Sequence, residues 1–325
     1  MKEMSYRDAL REALFEEMQR DEKVFIIGEE VGRYGGAYGV TRGLFQEFGA
    51  RRVVDSPISE AGIVGLGVGA AITGLRPVVE LMYVDFVGLA MDQIANQMAK
   101  FRYMTGGQLT IPMVLRTQGG TGRSAGAQHS QSLESWLVHV PGLKVVMPAT
   151  PGDAKGLLKT AVRCNDPVVF IEHKALYSSK GEVPEEEYTI PLGKAAVRRE
   201  GGDATILCYS GMVSLTLKAA AALSSEGIEA EVVDLRSLSP LDTETILSSA
   251  VKTGRVAVVS EAHRTLGMGA ELSALISERC FEQLKAPVLR IAGSDTPVPA
   301  SILEKISIPT EEGVVQGIRK LVSGE

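Results

Sequence analysis

Apolar positions in the first twenty residues recur at the spacing of one helical face. Ala9, Leu10, Ala13, Leu14 and Met18 line up within "SYRDALREALFEEMQR", residues 5–20, with Ser5 available as the cap. The run "VFIIGE" then predicts a short buried strand. The alternation continues with "PVVELMYV" as a strand, 91–103 as a helix and "LTIPMVLR" as a strand. "LKVVMPATPGDAKGLLKTAVRC" reads as strand, turn and helix, with Thr150 as N-cap, Pro151 at the first helical position and Asp153 in the first turn. "PVVFIEH" closes this half as a further strand. At 178–191, "SSKGEVPEEEYTIP", charge and proline replace periodicity and mark a boundary between domains at 1–185 and 186–325. Beyond it "ATILCYS", "AEVVDLR", "RVAVVSE" and "PVLRIAG" alternate with helical patterns at 212–226, 242–253 and 269–284. The class is α/β, with parallel sheets wrapped by helices and strands apolar throughout because both faces are covered.

Two stretches break this pattern in ways that point to chemistry. In "DSPISEAGIVGLGVGAA", residues 55–71, Glu60 is followed only by glycine and aliphatic residues, and the next basic residue is Arg76. The glycines read GxxGxGxG without a clear strand feeding them, a weak match to a dinucleotide loop. Gly62, Gly65 and Gly69 instead share one helix face and would let a neighbour approach closely at a domain or subunit interface. Ser59 would cap that helix, and Glu60 in its first turn would gain about 0.3–1 kcal/mol from the macrodipole. A helix-end charge and a chemical role both remain open on these local grounds. The second stretch, "TQGGTGRSAGAQHSQS" at 117–132, is a small-residue loop after a buried strand and carries His129. His139 and His173 read as structural, and His263 opens another glycine-rich turn. No histidine pair has metal-ligand spacing, so no transition-metal site is expected.

Composition narrows the classes. The chain has 325 residues, and 45% hydrophobic content suffices for a core in each of two domains. The longest apolar runs are broken by Glu80 and Asp85, so no membrane helix is expected, and the charged N-terminus offers no secretory signal. A cytoplasmic location is the default. Cys164, Cys208 and Cys280 form no CxxC pair and are read as reduced thiols. With 34 basic and 40 acidic residues the net charge is -6, which argues against nucleic acid and leaves an acidic surface for a basic protein module. No "GxxxxGK[ST]", "GxSxG" or "GDG" motif occurs, so any phosphate-bearing cofactor is anchored elsewhere.

Three longer segments carry a resemblance: "PISEAGIVGLGVGAAITGLRPVVE", "AQHSQSLESWLVHVPGLKVVMPATPGDAKGLL" and "DPVVFIEHKALY". Together they resemble the beta subunit of the thiamine-diphosphate-dependent dehydrogenase component of 2-oxo acid dehydrogenase complexes, along essentially the whole chain. The resemblance implies a transketolase-like pyrimidine-binding domain followed by a smaller transketolase C-terminal-like domain. It implies an alpha subunit, an α2β2 tetramer, and thiamine diphosphate shared with alpha, which holds the magnesium. By the same resemblance Glu60 hydrogen-bonds the aminopyrimidine ring and drives it to the imino tautomer that removes the thiazolium proton. An apolar setting suits that task, since desolvation raises a carboxyl pKa and low dielectric strengthens its hydrogen bond. Ile58 and Phe86 would bind the cofactor, Phe86 by packing on the aminopyrimidine. His129 matches the family's active-site histidine, a proton donor and orienting group near the carbanion or the incoming lipoyl disulfide. A potassium ion is implied at Met113, Ala161, Val162, Cys164 and Asp166, where Cys164 and Asp166 depart from the usual aspartate and asparagine.

The resulting expectation is a subunit that decarboxylates a 2-oxo acid and acylates a lipoyl group on the transacylase component. Pyruvate leads, with acetoin and branched-chain 2-oxo acids as alternatives. A non-catalytic assembly subunit and a free-standing transketolase-like enzyme are the rivals from other classes.

Overall fold

A computed structural model describes residues Met1–Gly324; Glu325, the last residue of the expected second domain, lies outside the described residues. The chain divides into two compact units. One comprises Met1–Gly119 and Trp136–Leu192, the other Gly120–Ser135 and the residues from Gly193 onward. The main break therefore falls a few residues past 185, and a segment of the first half belongs with the second unit.

In the first unit the parallel strands run in the order Lys144–Val146, Val168–His173, Val114–Gly119, Arg76–Glu80, Val24–Gly28, Val53–Asp55. Apart from the edge strand Val53–Asp55, their apolar residues are buried on both faces, as doubly covered strands require. The helix Tyr6–Arg20 begins at the expected cap, with Ser5 Oγ accepting from the Asp8 amide at 3.1 Å. It packs on Pro151–Arg163, which starts at Thr150, whose hydroxyl accepts from the Asp153 amide at 3.2 Å. Tyr6, Leu10, Leu14 and Met18 fill the core between them with Leu157 and Leu158.

Several local expectations change. The helix expected at 91–103 is present but irregular, π-helical over Gln93–Met98 and ending in a short α-turn at Phe101–Met104, and a 3-10 turn at Val84–Ala90 precedes it. Ala99 N–H bonds the Ile94 carbonyl five residues back at 3.1 Å, which widens the turn while Ile94 and Met98 both stay buried. The strand within "LTIPMVLR" begins only at Val114, after a tight turn in which Met113 N–H reaches Ile111 O at 2.8 Å. Ser59 flanks the helix Glu60–Ile72 but its side chain makes no capping bond. In that helix the close packing falls on Gly67, where a Cβ would meet Val79 Cγ2 at 2.5 Å. Gly62 and Gly69 face outward beside Leu66, which is 51% exposed. His139 is exposed, whereas His173 is buried and its Nδ1 accepts from the Ala175 amide at 3.2 Å. The polar boundary segment also contributes a strand, Lys180–Val183, paired antiparallel with Lys2–Ser5.

In the second unit, Leu289–Gly293, Val256–His263, Ala204–Cys208 and Ala230–Asp234 form a parallel sheet with Ala196–Arg199 antiparallel on its edge. Helices Met212–Ser224, Thr243–Thr253, Met268–Cys280 and Glu311–Ser323 accompany it. All three cysteines are free, and no helix among the described residues is long and apolar enough to cross a membrane.

Candidate active site

In the first unit the charged residues gather toward the carboxyl ends of the parallel strands, where α/β folds bind ligands. Register explains the gathering: Gly28 pairs with Glu80, Glu80 with Arg116, and Gln118 with Glu172. Arg116, fully buried, gives Nη1 to Glu80 Oε2 at 2.5 Å, Nε to Glu172 Oε1 at 2.7 Å and Nη2 to Glu172 Oε2 at 2.9 Å. Tyr177 donates to Glu172 Oε2 at 2.6 Å, and burial with that carboxylate pushes the phenol far up. Gln118 Nε2 reaches Glu80 Oε1 at 3.5 Å.

Glu60 opens the helix Glu60–Ile72 and is buried. Glu29, just past the strand Val24–Gly28, carries a buried Oε1 with no hydrogen-bond partner among the described residues. Its pKa is raised by burial first, then by the charges of Glu60, Glu30 and Glu80. Glu80 is raised as well, because desolvation outweighs the single bond Arg116 spares it while Glu172 takes two. Glu29 and Glu80 are therefore both biased toward the protonated carboxyl relative to a free glutamate.

An aromatic tier adjoins this cluster. Tyr38 stacks on Tyr177 with centroids 4.6 Å apart at 21° and donates its hydroxyl to Tyr83 at 3.2 Å. Tyr83 in turn meets Phe86 edge-on at 6.0 Å. Phe86 is half-buried in the 3-10 turn that packs on the Glu60 helix. Ile58, two residues before Glu60, is 77% exposed. Glu60, Ile58 and Phe86 thus belong to one unit and to adjoining elements, whereas His129 belongs to the other unit.

Sequence reasoning missed Glu29, Glu80, Arg116 and Glu172. The available signal was a charge inside an otherwise apolar strand, as in "VLRTQG" and "VVFIEH", since a buried charge needs a partner.

The aminopyrimidine expected here needs a buried carboxyl, further polar atoms and apolar surface for a ring. Glu60, the partnerless Glu29 Oε1, Ile58 and Phe86 meet that description. Among the described residues no group of three or more His, Cys, Asp or Glu could hold a metal ion. The potassium set fares differently. Arg76 Nη1 donates to the carbonyls of Val162 at 2.9 Å and Cys164 at 3.1 Å, the Ala161 carbonyl accepts from Cys164 N at 3.2 Å, and Met113 O from Val168 N at 3.0 Å. The Asp166 carboxylate pairs with Arg102 and with Lys144 at 2.9 Å. An ion there would share carbonyl lone pairs with a guanidinium.

In the second unit His129 is half-buried on the loop 120–135, its amide turning back to Gly126 O at 3.2 Å. A cavity of about 450 Å³ opens beside that loop, lined by Ala127, Gln131, His263, Thr265, Asp295 and Val298 among others. His263 Nδ1 bonds Ser294 O at 2.6 Å, and Asp295 is held by the Thr265 amide at 3.0 Å and hydroxyl at 2.6 Å. Those bonds, helped by the nearby His263 and Arg264, lower the Asp295 pKa.

The chain matches the family models "Transketolase, pyrimidine binding domain" over residues 2–180 and "Transketolase, C-terminal domain" over 193–314. It is 48% identical to the pyruvate dehydrogenase E1 component subunit beta of Bacillus subtilis, covering 99% of both chains. The same organism's acetoin:2,6-dichlorophenolindophenol oxidoreductase subunit beta is 49% identical, with 96% of this chain and 95% of that one covered. For the pyruvate dehydrogenase E1 component subunit beta of Rhizobium meliloti, identity is 48% over 98% of this chain and 70% of the relative. The fold is that of a solved split-gene transketolase described as an inactive beta4 tetramer, with a TM-score of 0.81, 24% identity and 98% of each chain covered. The chain belongs to the family of E1 beta subunits of the pyruvate and acetoin dehydrogenases, built from the transketolase pyrimidine-binding and C-terminal domains in that order.

Proposed function

We propose that this chain is the beta subunit of a thiamine-diphosphate-dependent E1 that, with an alpha subunit, decarboxylates pyruvate and transfers the acyl group to a lipoyl group of the transacylase. The observation that carries this reading is the buried Glu60 among raised carboxyls, in a chain about 48% identical to pyruvate dehydrogenase beta subunits nearly end to end. Bound thiamine diphosphate would supply the electron sink for decarboxylation. Glu60, Ile58 and Phe86 would hold its aminopyrimidine, Glu60 through a hydrogen bond at a ring nitrogen and the other two through apolar contact. Glu29 lies close enough to Glu60 and Glu80 for their charges to raise its own pKa, so its partnerless Oε1 adds a second carboxyl beside Glu60 that can meet the ring. His129 acts in transfer, delivering a proton to the lipoyl sulfur that leaves when the disulfide opens. Magnesium and diphosphate fall to alpha in an α2β2 tetramer. The negative surface, net charge -6, suits docking of a basic domain of the transacylase. A potassium ion at Met113, Ala161, Val162, Cys164 and Asp166 would be structural; a Tm higher in potassium than in choline chloride supports it, and equal values remove it.

Acetoin is the second reading, favoured by the equally similar acetoin relative. One experiment tests both. The chain is assembled with its alpha partner, thiamine diphosphate and magnesium, and turnover of pyruvate, acetoin and a branched-chain 2-oxo acid is compared for wild type and Glu60→Gln. Loss of about 10²-fold or more in the variant supports the role of Glu60, and the best substrate names the enzyme. Equal turnover of wild type and variant overturns it and favours an assembly subunit.

A further inference from the structure

The loop that carries His129 is tied to the second unit by carboxylates from outside the loop. Glu304, buried in the turn Ser301–Ile306, accepts from the Gly122 amide through Oε1 at 2.9 Å and from the Ser124 amide through Oε2 at 3.1 Å. Glu261, on the strand Val256–His263, accepts from the Thr121 amide at 2.8 Å and from its hydroxyl. At the far end Glu134, itself buried, receives the Tyr209 hydroxyl at 2.8 Å. Gly120 N–H closes the base of the loop on Gln131 O at 3.0 Å.

The backbone between these ties is unusual. Gly120, Gly122 and Gly126 have φ of +81°, +93° and +79°, and Ser124, which has a Cβ, has φ of 54°. Left-handed residues turn neighbouring amides toward one concave side, and alternate N–H groups then converge on a single anion. Here the anion is a side chain of the protein. A serine in the left-handed region persists only where its surroundings fix it, and the bond from its own amide to Glu304 does so. Gly126 also lies against Ala300, one residue before that turn, where a Cβ on the glycine would stand 3.6 Å from the alanine methyl.

We propose that Glu304 is a positioning residue for acyl transfer: its carboxylate, seated in the amide nest of Gly122 and Ser124 and seconded by Glu261, sets the loop conformation that presents His129. The C-terminal domain then has a part in the second half-reaction, separate from any docking role. Glu304 touches no reacting atom and acts only through the loop. The inference rests on the reading of His129 given above, and the experiment separates the two.

The test uses the assembled α2β2 enzyme with Glu304→Ala, Glu304→Gln and His129→Ala. Hydrogen exchange of the peptide spanning 120–126 reads the clamp without reference to activity. Glu304→Ala should speed that exchange by about tenfold or more while peptides from the Glu60 helix exchange as in wild type. The ratio of lipoyl-dependent acyl transfer to decarboxylation with an artificial electron acceptor should fall by about tenfold or more, since small misplacement of a transfer group costs that much. His129→Ala should lower the same ratio with exchange of 120–126 unchanged. Glu304→Gln keeps one acceptor but sets an NH2 against the other amide, so it should fall between wild type and alanine, and it serves alone if the alanine chain does not fold. Wild-type exchange in both Glu304 variants overturns the clamp. A ratio that falls with His129→Ala but not with Glu304→Ala leaves the clamp without a part in transfer and overturns the proposal. A ratio unmoved by His129→Ala overturns the reading of that histidine, and the role of Glu304 in transfer with it.

Discussion

Arg116 and Glu172 face each other across adjacent strands as a two-bond pair, Nε to Oε1 at 2.7 Å and Nη2 to Oε2 at 2.9 Å, with neither side chain exposed to solvent. The remaining Arg116 nitrogen serves Glu80. Removing the cation would strand two buried carboxylates. Arg116→Met is therefore expected to cost about 3–5 kcal/mol, the usual penalty for breaking a buried pair. Urea unfolding of variant and wild type measures it, and a difference below about 1 kcal/mol would show that water or protonation relieves the charges.

Glu29 makes a pH prediction whose sign follows from linkage. Its folded pKa lies above the ordinary value of 4.5. Between those two values the folded chain holds a proton that the unfolded chain has released, so stability falls as pH rises through that interval. Glu29→Gln cannot release a proton. Its Tm should match wild type below pH 4.5 and exceed it above the interval, by up to a few degrees as an order of magnitude. Parallel Tm curves for the two proteins across pH 4 to 8 would refute this origin of the raised value.

What was legible beforehand follows from range. Ser5 with Asp8 and Thr150 with Asp153 are local caps, and both were readable from short motifs. Glu60 stood out as a lone charge in an apolar run. The rest of its setting depends on register between distant strands: Arg116 meets Glu80 and Glu172 across 36 and 56 residues of chain. The strand Lys2–Ser5 pairs with Lys180–Val183 through polar residues that carry no strand signal, so only tertiary context makes them strands. The loop 120–135 looked like a connection within the first half because its ties, Glu261 and Glu304, lie 140 and 182 residues beyond Thr121 and Gly122.

Two glycines of one helix make the last prediction. A Cβ on Gly67 would stand 2.5 Å from Val79 Cγ2 and 3.0 Å from Met113 Cε, so Gly67→Ala must push the helix from the sheet. Overpacking of that kind costs about 1–3 kcal/mol, to be read from the urea midpoint of the isolated chain. Gly69 has no atom within 4 Å of its Cβ position. Gly69→Ala should raise the isolated chain's stability by about 0.5–1 kcal/mol through helix propensity alone. Of the three glycines whose shared face is expected to let a neighbour approach at a domain or subunit interface, Gly62 and Gly69 are exposed while Gly65 lies against Gln93, and a methyl on the exposed part would obstruct that neighbour. Gly69→Ala should therefore stabilise the lone chain while weakening assembly with the alpha subunit, measured by sedimentation of the mixture. Wild-type assembly with the stabilised variant would mean that this face looks onto solvent and the alpha subunit docks elsewhere.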